Sequence, residues 1–181
     1  MNTHHKYSTP AMALHWLMAA SLFGLLLLGF YMTGLPLSPR KLQFYSWHKW
    51  AGITLFALLW LRLAWRLWQR PPALPAHMNR LEQFVAHAGH ALLYLLMFAI
   101  PVSGWLMSSA MGFQTVLFGF WPIPDLLERN RELASVLATL HGGLNLLLVL
   151  VVLGHVGAAL KHHFIDKDHV LRRMLPGHHA S

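Results

Sequence analysis

Long runs of apolar residues alternate with polar or proline-rich stretches along the 181-residue chain, and four of these runs dominate its pattern. They lie at 14–33, 47–68, 87–108 and 140–163. Each supplies the roughly 20 helical residues needed to cross a hydrocarbon layer about 30 Å thick. The expectation is an all-α membrane protein, a bundle of four transmembrane helices forming a single domain over 1–181. The first run is too long for a secretory signal and no small-residue cleavage pattern follows it, so it reads as a retained span. The connections fall at 35–45, at 70–80 with Pro71, Pro72 and Pro75, and at 112–139. Within the last, 125–137 reads as a short amphipathic surface helix.

Composition agrees with that pattern. Apolar residues make up 56% of the chain and charged residues only 11%, where soluble domains carry roughly a quarter charged. The absence of cysteine excludes disulfides, Cys-ligated zinc, iron–sulfur clusters and thiolate nucleophiles. A formal charge of +8 would point to nucleic acid in a soluble protein; in a membrane protein it marks cytosolic ends, so lipid and not nucleic acid is the expected surrounding partner. With four spans, Lys6, Arg62, Arg66, Arg70, Arg80, Lys161, Lys167, Arg172 and Arg173 fall on one side. Arg40, Lys41, Lys49, Arg129 and Arg131 fall on the other, and nine against five places both termini in the cytoplasm. Asp125, Glu128 and Glu132 gather in the outer loop, while Trp16, Trp47, Trp50, Trp68, Trp105 and Trp121 sit near the expected interfaces.

Fourteen histidines are the anomaly. Ionisable groups inside a span are costly and point to function, and His15, His48, His87, His90, His141 and His155 fall there. His141 and His155, 14 residues apart, share one helix face and are separated by about 21 Å along the axis. That spacing is too wide for one metal ion but suits two stacked haems, each taking a second axial ligand from a neighbouring helix. At the outer level His48 is the one partner available to His141. At the inner level His15, His87 and His90 all compete for His155. A zinc or copper transporter would ordinarily place carboxylates beside imidazole, and the spans contain none. A cofactor-free bundle would leave the depth-matched imidazoles unexplained.

Other residues fit around these positions. Gly52, Gly89, Gly142, Gly143, Gly154 and Gly157 either admit a flat macrocycle or permit close helix packing. Arg62, 14 residues after His48, falls near the inner level and could neutralise a haem propionate; Lys49 could do the same outside or anchor its helix at the interface. Arg66 is expected to snorkel to the headgroups. Met18, Met32, Met97 and Met107 have no matched partners and read as packing residues. Of the histidines toward the chain ends (His4, His5, His162, His163, His169, His178 and His179), His162 and His163 sit where a quinone head group could reach an inner haem.

The segments LHWLMA around His15, WHKWAG around His48, RLAWRL from Arg62, AHAGHALLYLLMFAIPVSGW spanning His87 to Gly104, LHGGLN at His141 and GHVGAALKHHF at His155 resemble, in this order, the bacterial cytochrome b561 family of small di-haem inner-membrane proteins. The resemblance covers nearly the whole chain. It implies two b-type haems, with His15 and His155 holding the cytoplasmic-side haem and His48 and His141 the periplasmic-side one. It assigns His87 and His90 to supporting or quinone-side roles. It also implies a superoxide oxidase (superoxide:ubiquinone oxidoreductase) that oxidises superoxide at the periplasmic face and reduces ubiquinone. Lys49, Arg40, Lys41, Arg129 and Arg131 would steer the anion. The alternatives are a cytochrome b subunit shuttling electrons between quinone and a partner redox protein and, from another class, a metal-ion transporter. In either cytochrome reading, bis-histidine ligation fills both axial positions and leaves electron transfer as the chemistry.

Overall fold

The computed structural model describes residues 6–75, 77–175 and 177, and their architecture is all-helical apart from one small hairpin. The helices are α1 (Thr9–Thr33), α2 (Pro39–Trp68), α3 (Arg80–Met111) and α4 (Arg131–Phe164). All four are long and apolar enough to cross a membrane. Strands β1 (Val116–Leu117) and β2 (Trp121–Pro122) pair antiparallel between α3 and α4, and a 3-10 turn covers Arg172–Met174.

Each helix overruns its apolar stretch because local capping chemistry, not hydropathy, decides where helical hydrogen bonding stops. The Ser38 side chain accepts a hydrogen bond from the Lys41 N–H, with Pro39 preorganised in the first turn of α2. Asn79 and Glu82 cap α3 reciprocally, each side chain accepting from the other's backbone N–H. Gly112 ends α3 at φ 75°, a left-handed conformation glycine adopts without a Cβ penalty. Asn130 accepts from the Leu133 N–H and starts α4. The expected surface helix over 125–137 is therefore not a separate element. Residues 125–130 are irregular, and from Arg131 onward the chain is the first part of α4, since nothing after the Asn130 cap breaks the helix.

Helix α1 packs mainly on α2 and α3 mainly on α4, with a lighter contact between α2 and α3. One core cluster, Met18, Leu25, Leu55 and Leu59, is joined by Tyr94 and Met97 and ties α1 and α2 to α3. A second, Ala110, Ala134 and Leu137 with Leu106, Met107 and Leu127, joins the end of α3 to the start of α4. Met18 and Met32 are buried and Met97 and Met107 line these clusters, as packing residues should. Many large apolar side chains instead face outward, Phe30 at 86% exposure among them. In water such a surface would aggregate; against lipid it is already in its solvent.

The two ends of the bundle are tied off separately. At one, the Tyr7 N–H donates to the Arg173 carbonyl and the Trp16 indole to the Met174 carbonyl at 2.7 Å, so the first and last described segments meet. Arg173 also donates to the Ala73 carbonyl. At the other, Trp50 donates to the Val116 carbonyl and Trp105 to that of Pro124, anchoring the hairpin loop.

Candidate functional site

The apolar spans carry their histidines in two groups, one toward each end of the bundle. At the end formed by the hairpin loop, His141 of α4 leans on α3. Its ring lies so near Gly104 that a Cβ there would stand 3.1 Å from Cε1. The missing Cβ lets His141 Nδ1 reach the Ile100 carbonyl at 3.1 Å and Ser103 Oγ at 2.9 Å. The Ser103 hydroxyl itself donates to the Ile100 carbonyl, so its lone pairs face the ring. With the Nδ1 proton so placed, Nε2 keeps a free lone pair. Across from it, His48 of α2 packs against Gly29 of α1, where a Cβ would stand 3.3 Å from Cε1. His48 Nδ1 is buried without a hydrogen-bond partner among the described residues, an arrangement that is costly for an imidazole with no further bonding.

At the opposite end three imidazoles converge. The ring centroids of His15 and His155 are 6.2 Å apart, and those of His90 and His155 5.4 Å. His90 turns Nδ1 back to the Ala86 carbonyl of its own helix. His87, exposed, does the same with Gln83 and stays outside the group. Arg62 is within electrostatic reach of His15, His90 and His155, and its Nε donates to the Tyr94 hydroxyl at 3.1 Å. The Arg66 guanidinium lies 5.7 Å from the centre of the Tyr94 ring, where the aromatic face attracts it. Lys49 donates to the Phe113 carbonyl at 3.0 Å, so it ties the first half of α2 to the loop that follows α3.

His15 meets His155, and His48 faces His141, across helices that barely touch. Among the described residues, the backbones of α1 and α4, and of α2 and α4, make at most incidental close approaches. Glycines Gly52, Gly89, Gly142, Gly143, Gly154 and Gly157 open onto space, with no atom within 4 Å of where a Cβ would sit. Close helix packing therefore does not account for them. The spacing tests the fit to a shared iron. Bonds of about 2 Å from two opposed imidazoles put the ring centres about 6.3 Å apart. The 6.2 Å between the His15 and His155 centres is close to that distance, and the 5.4 Å between His90 and His155 is shorter.

A third group lies beyond the spans. His162, buried, places Nδ1 2.8 Å from Asp168 Oδ2 and 3.0 Å from Asp166 Oδ2. His77 Nε2 approaches the same Asp168 oxygen at 3.3 Å. Burial pushes the Asp168 carboxyl up, but the Val170 N–H and the two imidazoles outweigh it and hold the group below its usual range. His162 is thus engaged by carboxylates rather than free at a mouth, while His163 Nδ1 is buried without a partner among the described residues. His77 carries no sequence signal beyond its residue type. His4, His5, His178 and His179 lie outside the described residues.

Residues 6–177 match the family described as Prokaryotic cytochrome b561. The chain is 37% identical to Cytochrome b561 homolog 2 of Escherichia coli (strain K12), over 96% of this chain and 93% of that relative. It is 32% identical to the Probable superoxide oxidase CybB of Yersinia pestis, over 96% and 97% of the two chains. It is 26% identical to Cytochrome b561 homolog 1 of Escherichia coli (strain K12), over 95% and 98%. The chain therefore belongs to the prokaryotic cytochrome b561 family, membrane cytochromes that bind b-type haem and transfer electrons.

Proposed function

We propose that the protein carries two b-type haems, one held by His15 and His155 and the other by His48 and His141, and passes electrons across the bacterial inner membrane. The observation that carries this reading is the meeting of imidazoles across helices that do not otherwise pack, at a centre-to-centre distance of 6.2 Å for His15 and His155. The haems would supply reversible one-electron chemistry. The chain's own residues do the rest. Ile100 and Ser103 fix the His141 ring and its proton, which makes Nε2 the better donor. Arg62, steadied by Tyr94, places a positive charge beside the inner imidazoles, suited to a propionate. The meeting of both terminal segments at one end fits a chain with its N- and C-termini on the same side, which the basic residues assign to the cytoplasm.

The activity we propose is oxidation of superoxide at the periplasmic face with reduction of ubiquinone, as the name of the Yersinia pestis relative suggests. Arg40, Lys41, Lys49, Arg129 and Arg131 supply the steering charge there, and the hydrogen bonds of Lys49 to the Phe113 carbonyl and of Lys41 to the Thr33 and Leu35 carbonyls hold two of these ammonium groups in place without neutralising them. The deciding experiment is a reduced-minus-oxidised spectrum with haem quantification on purified protein, followed by reduction with superoxide with and without ubiquinone. Two haems per chain and superoxide-dependent quinone reduction by the protein alone are expected. Strict dependence on a partner protein would instead establish the cytochrome-subunit reading, and material free of haem after growth in replete medium would overturn both.

A further inference from the structure

We propose that His77, His162 and Asp168 form a binding site for a borderline divalent cation of the zinc type, at the end of the bundle where the terminal segments meet. The three donor atoms lie within 4.8 Å of one another. They come from three separate stretches of chain: the proline-rich connection before α3, the last turn of α4, and the segment that follows it.

The carboxylate is aimed. Asp168 Oδ1 accepts from the Val170 N–H at 2.9 Å, which turns Oδ2 toward the two imidazoles. Among the described residues no lysine or arginine pairs with Asp168, so beyond the Val170 N–H its partners are imidazoles. The nearby Asp166 is already taken by Lys161 at 2.8 Å. Tetrahedral bonds of about 2.0–2.2 Å put ligand atoms about 3.4 Å apart. The 3.3 Å between His77 Nε2 and Asp168 Oδ2 meets that spacing. The 2.8 Å between His162 Nδ1 and the same oxygen is a hydrogen-bond length and would open by about half an ångström when the ion replaces the proton. Two imidazoles and one carboxylate, with a fourth position left for water, select zinc-like ions over magnesium or calcium, which take oxygen ligands. His162 and Asp168 are shielded, whereas the His77 side chain is 56% exposed and gives the ion an entry. Such an ion would cross-link the α2–α3 connection to the end of α4.

The site is tested on full-length haem-loaded protein in detergent, purified without an oligohistidine tag and with His4, His5, His178 and His179 replaced by alanine. Equilibrium dialysis against zinc with elemental analysis should give one zinc per chain, with Kd below about 100 µM, undisturbed by excess magnesium. His77→Gln, at an exposed position, and Asp168→Asn should each weaken binding about tenfold or more with the haem absorption spectrum unchanged, and His169→Ala should leave binding as it was. Weaker binding in the starting protein, unaltered affinity in His77→Gln and Asp168→Asn, or loss through His169→Ala would overturn the proposal.

Discussion

The outer and inner histidine groups are built on different principles. The outer one is lean: two imidazoles, each seated on a glycine, with one of them locked by a backbone carbonyl and a serine. The inner one is crowded, with three imidazoles, an arginine and a tyrosine in one layer. In the first, shape and a hydrogen bond leave each ring one position. In the second, the choice among rings rests on distance, and a fixed positive charge sets the local potential.

Removing the outer imidazoles should have the largest effect. His48→Ala or His141→Ala is expected to abolish one haem and leave the other, halving the haem per chain measured as pyridine haemochrome; two intact haem signals would break the proposed pairing. At the inner level, His15→Ala should lose the remaining haem while His90→Ala keeps it. The reverse result would transfer the ligand role to His90 and show that the 5.4 Å separation opens when haem binds. A smaller effect is expected at the glycine seat. Gly104→Ala places a methyl 3.1 Å from His141 Cε1, and Ser103→Ala removes one of the partners of Nδ1. Loss of such supporting contacts weakens ligand sites about 10- to 100-fold, so both variants should release the outer haem more readily in dilution experiments with the inner haem unaffected. The smallest effect should be Arg62→Leu, which takes a positive charge from the inner layer and lowers that haem's midpoint potential without moving the outer one. An equal shift of both haems would mean that Arg62 acts on the whole bundle and not on one layer.

Much of the fold was legible in the residues. Apolar runs of spanning length are a local property, so the four helices could be placed and the last residues of α1 and α2 fall at the expected 33 and 68, though the helix starts and the end of α3 lie beyond the apolar runs. Those ends depend on Ser38, Asn79, Gly112 and Asn130, and the Asn130 cap absorbed the expected surface helix into α4. The glycines singled out beside the histidines open onto space, whereas those in contact with the rings are Gly29 and Gly104, on other helices. Nothing local to Arg66 announces that Tyr94, 28 residues away, lies beside its guanidinium.

By itself the sequence determined a four-span helical protein with His141 and His155 on one face of the last helix, because helical period and hydropathy act within a single segment. Only the tertiary structure decided that His15 and His90 both close on His155, which glycines seat the rings of His48 and His141, and that His77 and Asp168 meet at His162. Those outcomes depend on how close separate helices come and on side-chain reach across the gap, quantities set by packing among all the spans at once and carried by no one of them.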